Sequence, residues 1–466
     1  MRFTTLESFE ESRLVKMLKL DRWIVALKAD LSRTYSRDLQ KWLIIAPIIG
    51  VTVGVLITAV SAIILDGIWA ALLPRYIRRH ALIIPGLLAG FILTGVLMSY
   101  GTSDPDEHST EEIIRSYHER QGEIDMRPFW SKLAAAIATV GFGGSAALEG
   151  PSIYGGGAIG SWLWKKLAGF GLAASDRRIM LISGAAAGMA AVFRAPLTGL
   201  VFALEMPYKD DLAHEALLPS LIASVTSYAT LAAVMGPQPL FRFGGAVGFS
   251  DKDLLWSALL GLICGLGAMN FANGFRRVRV FFVEMRAPLV FKLAIGGFGT
   301  ALCGLLYLHL YPGPLVPIGP NYEAVPIILE HTHTSAELVT FAFLKLVATL
   351  FSLGSGGVSA MFVPLFISGG AIGRAFAQSI VGARRQDLFA AVGMSCFISA
   401  AYKTPLAAVV FVAETGGSHS YIIPTLIGAA VAYAVSGEAS VSGDQRLHEV
   451  RRGIGPQGTP PHGAES

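Results

Sequence analysis

Long apolar runs, nearly free of charge and repeatedly cut by glycine and proline, constrain this chain more than any other feature. They fall at about 42–73, 81–99, 133–148, 152–168, 179–204, 216–235, 254–274, 288–311, 338–353, 361–382, 388–413 and 421–435. Only 15% of the 466 residues are charged, and mean hydropathy is +0.55. Soluble domains carry about 25% charged residues, so this chain cannot cover a water-facing surface of its own. Continuous runs rather than period-two alternation argue against a transmembrane barrel. The expected fold class is all-α, a polytopic membrane protein whose helices satisfy their own backbone in lipid. A straight span needs about 20 residues, and several bands are shorter. Short spans broken by Gly (52) and Pro (23) are tolerated at membrane depth where they line a protein-walled site. That pattern fits a channel or transporter with discontinuous helices.

The charged residues sit at the ends and in loops. Residues 1–41 read as a cytosolic amphipathic segment, with Arg13, Lys16, Arg22 and Arg37 among its bases. Arg276, Arg277, Arg279 and Arg286 read as a cytosolic basic loop dividing a first membrane repeat (42–275) from a second (276–443). Residues 444–466 read as a disordered tail. No signal peptide opens the chain, since acids and bases mix before the first apolar run. Cys264, Cys303 and Cys396 lie far apart in apolar runs and read as small core hydrophobes. No metal-binding spacing occurs, and a net charge of +4 makes no case for nucleic acid.

Two blocks repeat in the same order. EGPSIYGGGAIG (149–160) matches FVPLFISGGAIG (362–373), and APLTGLVFALE (195–205) matches TPLAAVVFVAE (404–414). Pro151 pairs with Pro364, Pro196 with Pro405, and Glu205 with Glu414. Chance likeness between Gly-rich apolar runs is the alternative; the shared order and proline placement favour two homologous halves.

Each first block places a proline at the start of an apolar helix, where its missing N–H costs nothing. A helix N-terminus carries about half a positive charge and binds anions through backbone N–H groups. Two such ends meeting inside a membrane would hold an anion weakly enough to release it. Glu149 lies in this region, and a carboxylate near mid-bilayer costs about 2.5–3.5 kcal/mol on insertion scales. Its carboxylate can occupy the anion's place, as a gate that responds to pH.

At these residues the chain resembles the CLC chloride channels and chloride/proton antiporters. GGSAALEGPSIYGGGAIG (143–160) is similar to the family's Gly-Lys/Arg-Glu-Gly-Pro block, SGGVSAMFVPLFISGGAIG (355–373) to its Gly-x-Phe-x-Pro block, and YGTSDPDE (100–107) stands at its Gly-Ser-Gly-Ile-Pro block. The resemblance spans roughly residues 42–443. It implies an inverted two-fold repeat, Glu149 as gate, and anion contacts from the region of Gly150 and from amides around Met361 and Phe362. It implies hydroxyl ligands at Thr102 and at the position of Ser442. Four positions depart from the pattern: Leu148 replaces the basic residue before the gate, Ala360 a glycine, Ser442 the tyrosine, and Met206 the internal proton-relay glutamate. A thioether cannot carry a proton, so uncoupled or weakly coupled conduction is expected. Glu205 and Glu414 read as structural carboxylates at equivalent helix ends, and Arg194 and Lys403 as snorkelling helix-end residues.

The reading is therefore a chloride channel or transporter in the cell membrane, gated by Glu149. A chloride/proton antiporter and a carrier of fluoride or nitrate are the alternatives. An intramembrane enzyme is disfavoured, since no His-Glu-x-x-His or Gly-x-Ser-x-Gly motif occurs. No cofactor is expected beyond bound chloride ions. The partners expected are chloride, the lipid bilayer and, from the resemblance, a second copy of the chain in a homodimer.

Overall fold

The computed structural model describes residues 37–448 apart from 107–108, 168, 170–171, 239–247, 330–332 and 417–418. Its α-helices are α1 (Arg37–Ser61), α2 (Ala70–Arg78), α3 (Ile83–Gly101), α4 (Ser109–Glu119), α5 (Phe129–Gly141), α6 (Glu149–Leu167), α7 (Asp176–Phe193), α8 (Pro196–Glu205) and α9 (Leu217–Met235). They continue with α10 (Asp251–Glu284), α11 (Leu289–Leu310), α12 (Ala324–Leu329), α13 (Ser335–Gly354), α14 (Phe362–Phe376), α15 (Gln386–Tyr402), α16 (Pro405–Gly416) and α17 (Ile422–Val435). A π-helical stretch, Ala62–Trp69, joins α1 to α2. Among the described residues, six helical stretches are long and apolar enough to cross a membrane. The fold is all-α, as the apolar runs require.

The sequence repeat is a structural repeat. In the first half α6 packs on α7, and in the second α14 packs on α15. The repeated glycines set how close these pairs come. A Cβ on Gly156 would collide with the Gly184 carbonyl, and one on Gly369 with the Gly393 carbonyl. Small residues let helix backbones meet where lipid offers no hydrophobic drive to association. Each half then breaks in the same way. Arg194 (φ 54°) and Lys403 (φ 59°) end α7 and α15 in the left-handed conformation, and Pro196 and Pro405 start the next helix. Both cations are engaged at helix ends: Arg194 donates to Gln238 O, and Lys403 donates to Tyr433 O and Ser436 Oγ.

The halves interlock through α8 and α16. The Glu205 carboxylate accepts from Leu406 N (3.0 Å) and Ala407 N (2.7 Å), at the start of α16. Glu414 accepts from Leu197 N (3.0 Å), Thr198 N (2.8 Å) and Thr198 Oγ1 (2.7 Å), at the start of α8. Each helix thus ends in the carboxylate that caps the other's N-terminus, where the dipole favours negative charge.

Three expectations change. The 275/276 boundary falls inside α10, which runs unbroken past Arg276, Arg277 and Arg279 from a capping box at Ser250 and Asp253. The Asp104–Glu123 stretch, expected from its polar composition to be a solvated loop, carries a packed helix: Glu112, Ile113, Ile114 and Tyr117 of α4 are buried, and Lys132 pairs with Glu112 at 2.6 Å. The start of the expected tail is packed. Asp444 pairs with Arg115, and Gln445 Nε2 donates to the carbonyls of Met206, Tyr208 and Tyr402. Residues 1–36 and 449–466 lie outside the described residues; of the N-terminal segment, Lys41 pairs with Asp176 at 2.9 Å.

Candidate functional site

The segments that lead into α6 and α14 meet. Ala147 and Ala360 form an antiparallel bridge, Ala147 N donating to Ala360 O at 3.0 Å. Gly150 presses on the backbone of Ser359 and Ala360, where a Cβ would not fit. Ser359 Oγ also donates to Ala147 O. The two helix tips expected to face one another are therefore held together by their own backbones.

At that junction Glu149 is fully buried and its Oε1 accepts from Phe362 N at 2.5 Å. No described group bonds its Oε2. One residue earlier, Met361 N donates to the Tyr402 hydroxyl at 3.0 Å. Two successive amides at one helix N-terminus are thus occupied by protein oxygens, one from a carboxyl group and one from a phenol. Such amides suit an anion, and a carboxylate is the nearest protein stand-in for one.

The Phe362 side chain has another task. Its ring packs against Phe193 (5.1 Å between centroids), Phe202 (5.6 Å), Phe411 (5.2 Å) and Tyr402 (6.0 Å). Aromatic clusters of this kind fix a backbone through dense packing. The ring holds the amide in place while the amide meets the ligand.

A cavity of about 30 Å³ reaches the Met361–Tyr402 contact. Met361, Tyr402 and Ser442 line it, together with Thr110, Glu111 and Arg279. Thr110 Oγ1 is buried there with no hydrogen-bond partner among the described residues. Met361 and Ser442 are thus brought to one place, with Glu149, Gly150 and Phe362 immediately beyond it. Thr102 is not among them. It ends α3 at the surface, where its Oγ1 accepts from Asp104 N at 3.2 Å in a local turn. The hydroxyl-bearing helix tip that faces Met361 is the start of α4, at Ser109 and Thr110, not the GTSDP turn. Met206 is buried, with its amide on Phe202 O and its carbonyl on Gln445. Glu205 caps α16, as described above.

Tyr402 was not expected from the motifs. It stands one residue before Lys403, where the first half has Phe193 before Arg194. Comparing the two repeats position by position marks it as a hydroxyl gained at the end of α15. It supplies a phenol where Ser442 cannot.

Cationic charge is distributed around the site rather than in it. Lys345 is buried, its Nζ donating to Gly319 O at 2.7 Å and to Asn321 Oδ1. The same loop carries Tyr322, whose hydroxyl accepts from Leu148 N at 3.3 Å. Arg279 pairs with Glu111 at 2.6 Å on the cavity wall. Burial raises the Glu111 carboxyl above the usual carboxylate range against the opposing pull of Arg279. Among the described residues no group of His, Cys, Asp and Glu could hold a metal ion.

Comparison with known proteins agrees with this fold. A family model described as voltage gated chloride channel matches residues 86–437, well over half of the chain. The H(+)/Cl(-) exchange transporter ClcA of Yersinia pestis bv. Antiqua (strain Angola) is 28% identical over 355 residues, 72% of each chain. A putative chloride channel protein, ClcB-like, of Ralstonia nicotianae is 25% identical over 360 residues, covering 75% of this chain and 81% of that one. Among solved structures, a CLC-type fluoride/proton antiporter superposes with TM-score 0.77 at 23% identity, covering 89% of this chain and all of the other. A slow cyanobacterial Cl-/H+ antiporter superposes with TM-score 0.74 at 22% identity, over 85% and 94% of the two chains.

Proposed function

The chain belongs to the voltage-gated chloride channel (CLC) family of membrane anion transporters, and from that premise we propose that it moves chloride through the Met361–Phe362 amides with Glu149 as the gate. The observation that carries the proposal is the Glu149 carboxylate seated on Phe362 N–H. In that position it excludes the anion by occupying its place. Protonation removes the charge that competes with chloride, so acid opens the path.

Anion transport here needs little chemistry. Backbone dipoles supply attraction without a fixed cation on the site, which keeps binding weak and exchange fast. The aromatic cluster around Phe362 keeps the amides aimed at one point. The Tyr402 hydroxyl, bound to Met361 N–H, can turn its own proton toward an anion in the cavity.

We favour weak coupling or none between chloride and protons. Met206 offers no titratable atom, and Glu205 is engaged as a helix cap. A proton-coupled antiporter is the second reading, favoured by the printed names of the exchange transporter and the antiporters that this chain resembles. Liposomes carrying the protein, followed with a chloride electrode and a pH electrode, separate the two. Chloride efflux without proportionate proton uptake supports our reading; proton uptake locked to chloride supports antiport. Fluoride and nitrate tested in competition assign the cargo. Glu149→Gln mimics the protonated gate. It raises chloride efflux at neutral and alkaline pH and reduces the acid activation; an unchanged rate and profile would remove Glu149 from the gate.

A further inference from the structure

The Glu149 plug has a counterpart at the other end of the cavity. There, Arg279 near the end of α10 meets Glu111 in the first turn of α4 at 2.6 Å. Arg279 Nη2 also donates to Asp106 O at 3.1 Å. The guanidinium lines two hollows. One is the cavity that reaches Met361 and Tyr402; the other is bounded by Asp106, Lys292 and Ser355. Arg279 and Glu111 are both partly exposed, at 31% and 22%, whereas Tyr402 and Thr110 behind them are buried. The ion pair therefore stands between the buried site and the surface that carries Arg276, Arg277 and Arg286 of the basic segment.

We propose that Arg279 is a second anion-binding site, for a small inorganic anion approaching the cavity, and that the Glu111 carboxylate occupies it as a competing plug. A guanidinium is weakly hydrated and presents its donors in a fixed fork, so it exchanges one anion for another at little cost. Thr110 supplies independent support. The residue is 4% exposed and lines the same cavity, and its hydroxyl has no described partner, as expected of a donor awaiting a ligand.

Among the described residues, the charged and titratable groups facing Glu111 come from four elements. They are Arg279 of α10, Arg115 on its own helix, Asp444 of the C-terminal segment and Tyr402 of α15. Asp444 is itself held by Arg115 at 3.1 Å. Protonating Glu111 removes the carboxylate's claim on Arg279 and leaves the guanidinium to the incoming anion. The result is acid activation from the Arg279 side that does not pass through Glu149. The inference rests on the proposed function, because it gives the same anion a second stop.

The test uses the full chain in liposomes with chloride as the probe and equal pH on both sides. Chloride efflux from Glu149→Gln protein is read across a series of buffers from acid to alkaline pH. Residual acid activation is expected, and Glu149→Gln/Glu111→Gln should abolish it; a profile already flat in Glu149→Gln, or one untouched by Glu111→Gln, overturns the proposal. Arg279→Gln should raise the half-saturating chloride concentration about tenfold, the effect of losing one charge-assisted contact; an unchanged value overturns it. The Arg279→Gln and Glu149→Gln readings leave Glu111 intact and so stand even if Glu111→Gln fails to fold. If the unaltered protein releases no chloride at all, the proposed function fails. If it transports while these profiles stay unmoved, only the Arg279 site fails.

Discussion

Single atoms decide whether an anion can sit at the start of α14. Glu149 Oε1 takes the Phe362 amide and the Tyr402 hydroxyl takes the Met361 amide. Tyr402→Phe leaves Met361 N–H without its partner, a loss of about 1–3 kcal/mol for a buried donor. An anion that fills the gap stabilises the variant by binding. The melting temperature of Tyr402→Phe in detergent is therefore lower than that of the parent and rises more steeply with added chloride; parallel chloride responses would show that the hydroxyl does not share the amide. At Phe362 the side chain and the backbone separate. Phe362→Ala opens a cavity amid four rings and lowers stability by about 3–5 kcal/mol, while Phe362→Leu costs far less and keeps the amide. Thermal unfolding of both variants, beside chloride affinity of the Leu form, checks this. Glu149 stood out in the sequence because a carboxylate just before a Gly-Pro pair in an apolar run has few structural uses. Thr102 was misplaced because the GTSDP turn imitates the composition of a helix start. The helix that faces Met361 begins later, at Ser109, whose positive φ (60°) does not show in its side chain. Tyr402 escaped notice, and Arg279 was read only as part of a basic loop, because each reaches the cavity from an element distant in sequence.

Helix ends and helix crossings explain the repeated motifs better than ion binding alone. The shared GGAIG marks the repeat, and its glycines serve the crossings of α6 on α7 and α14 on α15. Gly156→Ala and Gly369→Ala should each prevent folding, because a carbonyl oxygen of the facing helix occupies the space. Expression of monodisperse protein checks this, and normal yield from either variant would contradict the packing. The carboxylates that close the second repeat block act as reciprocal caps. Glu205→Gln weakens two charge-assisted bonds in a buried setting and costs about 1–3 kcal/mol. Glu414→Gln acts on the equivalent bonds at a more exposed end, so its cost is smaller. Detergent melting curves give the order. The structural reading of both glutamates followed from their matched positions alone, since a proton relay has no reason to appear twice at equivalent helix ends.

At the scale of the molecule, two halves present opposed helix tips to one small site and lock together through α8 and α16. The all-α class and the repeat were readable from apolar runs and matched prolines. The point of division was not, because the basic residues that suggested a loop lie on α10, a helix of 34 residues. A helix can carry arginines past the membrane surface without breaking, so charge marks the surface and not the end of the element. The packing of Asp444 and Gln445 was equally hidden: a polar segment with few apolar residues is held by hydrogen bonds to three carbonyls, which composition does not record.

The central claim is that the Glu149 carboxylate occupies the place of a transported anion. Anomalous diffraction from Glu149→Ala crystals soaked in bromide tests it most directly. The account predicts a bromide peak within hydrogen-bond distance of Phe362 N–H, where the carboxylate oxygen sat. Bromide bound only elsewhere, with no peak beside that amide, would contradict it.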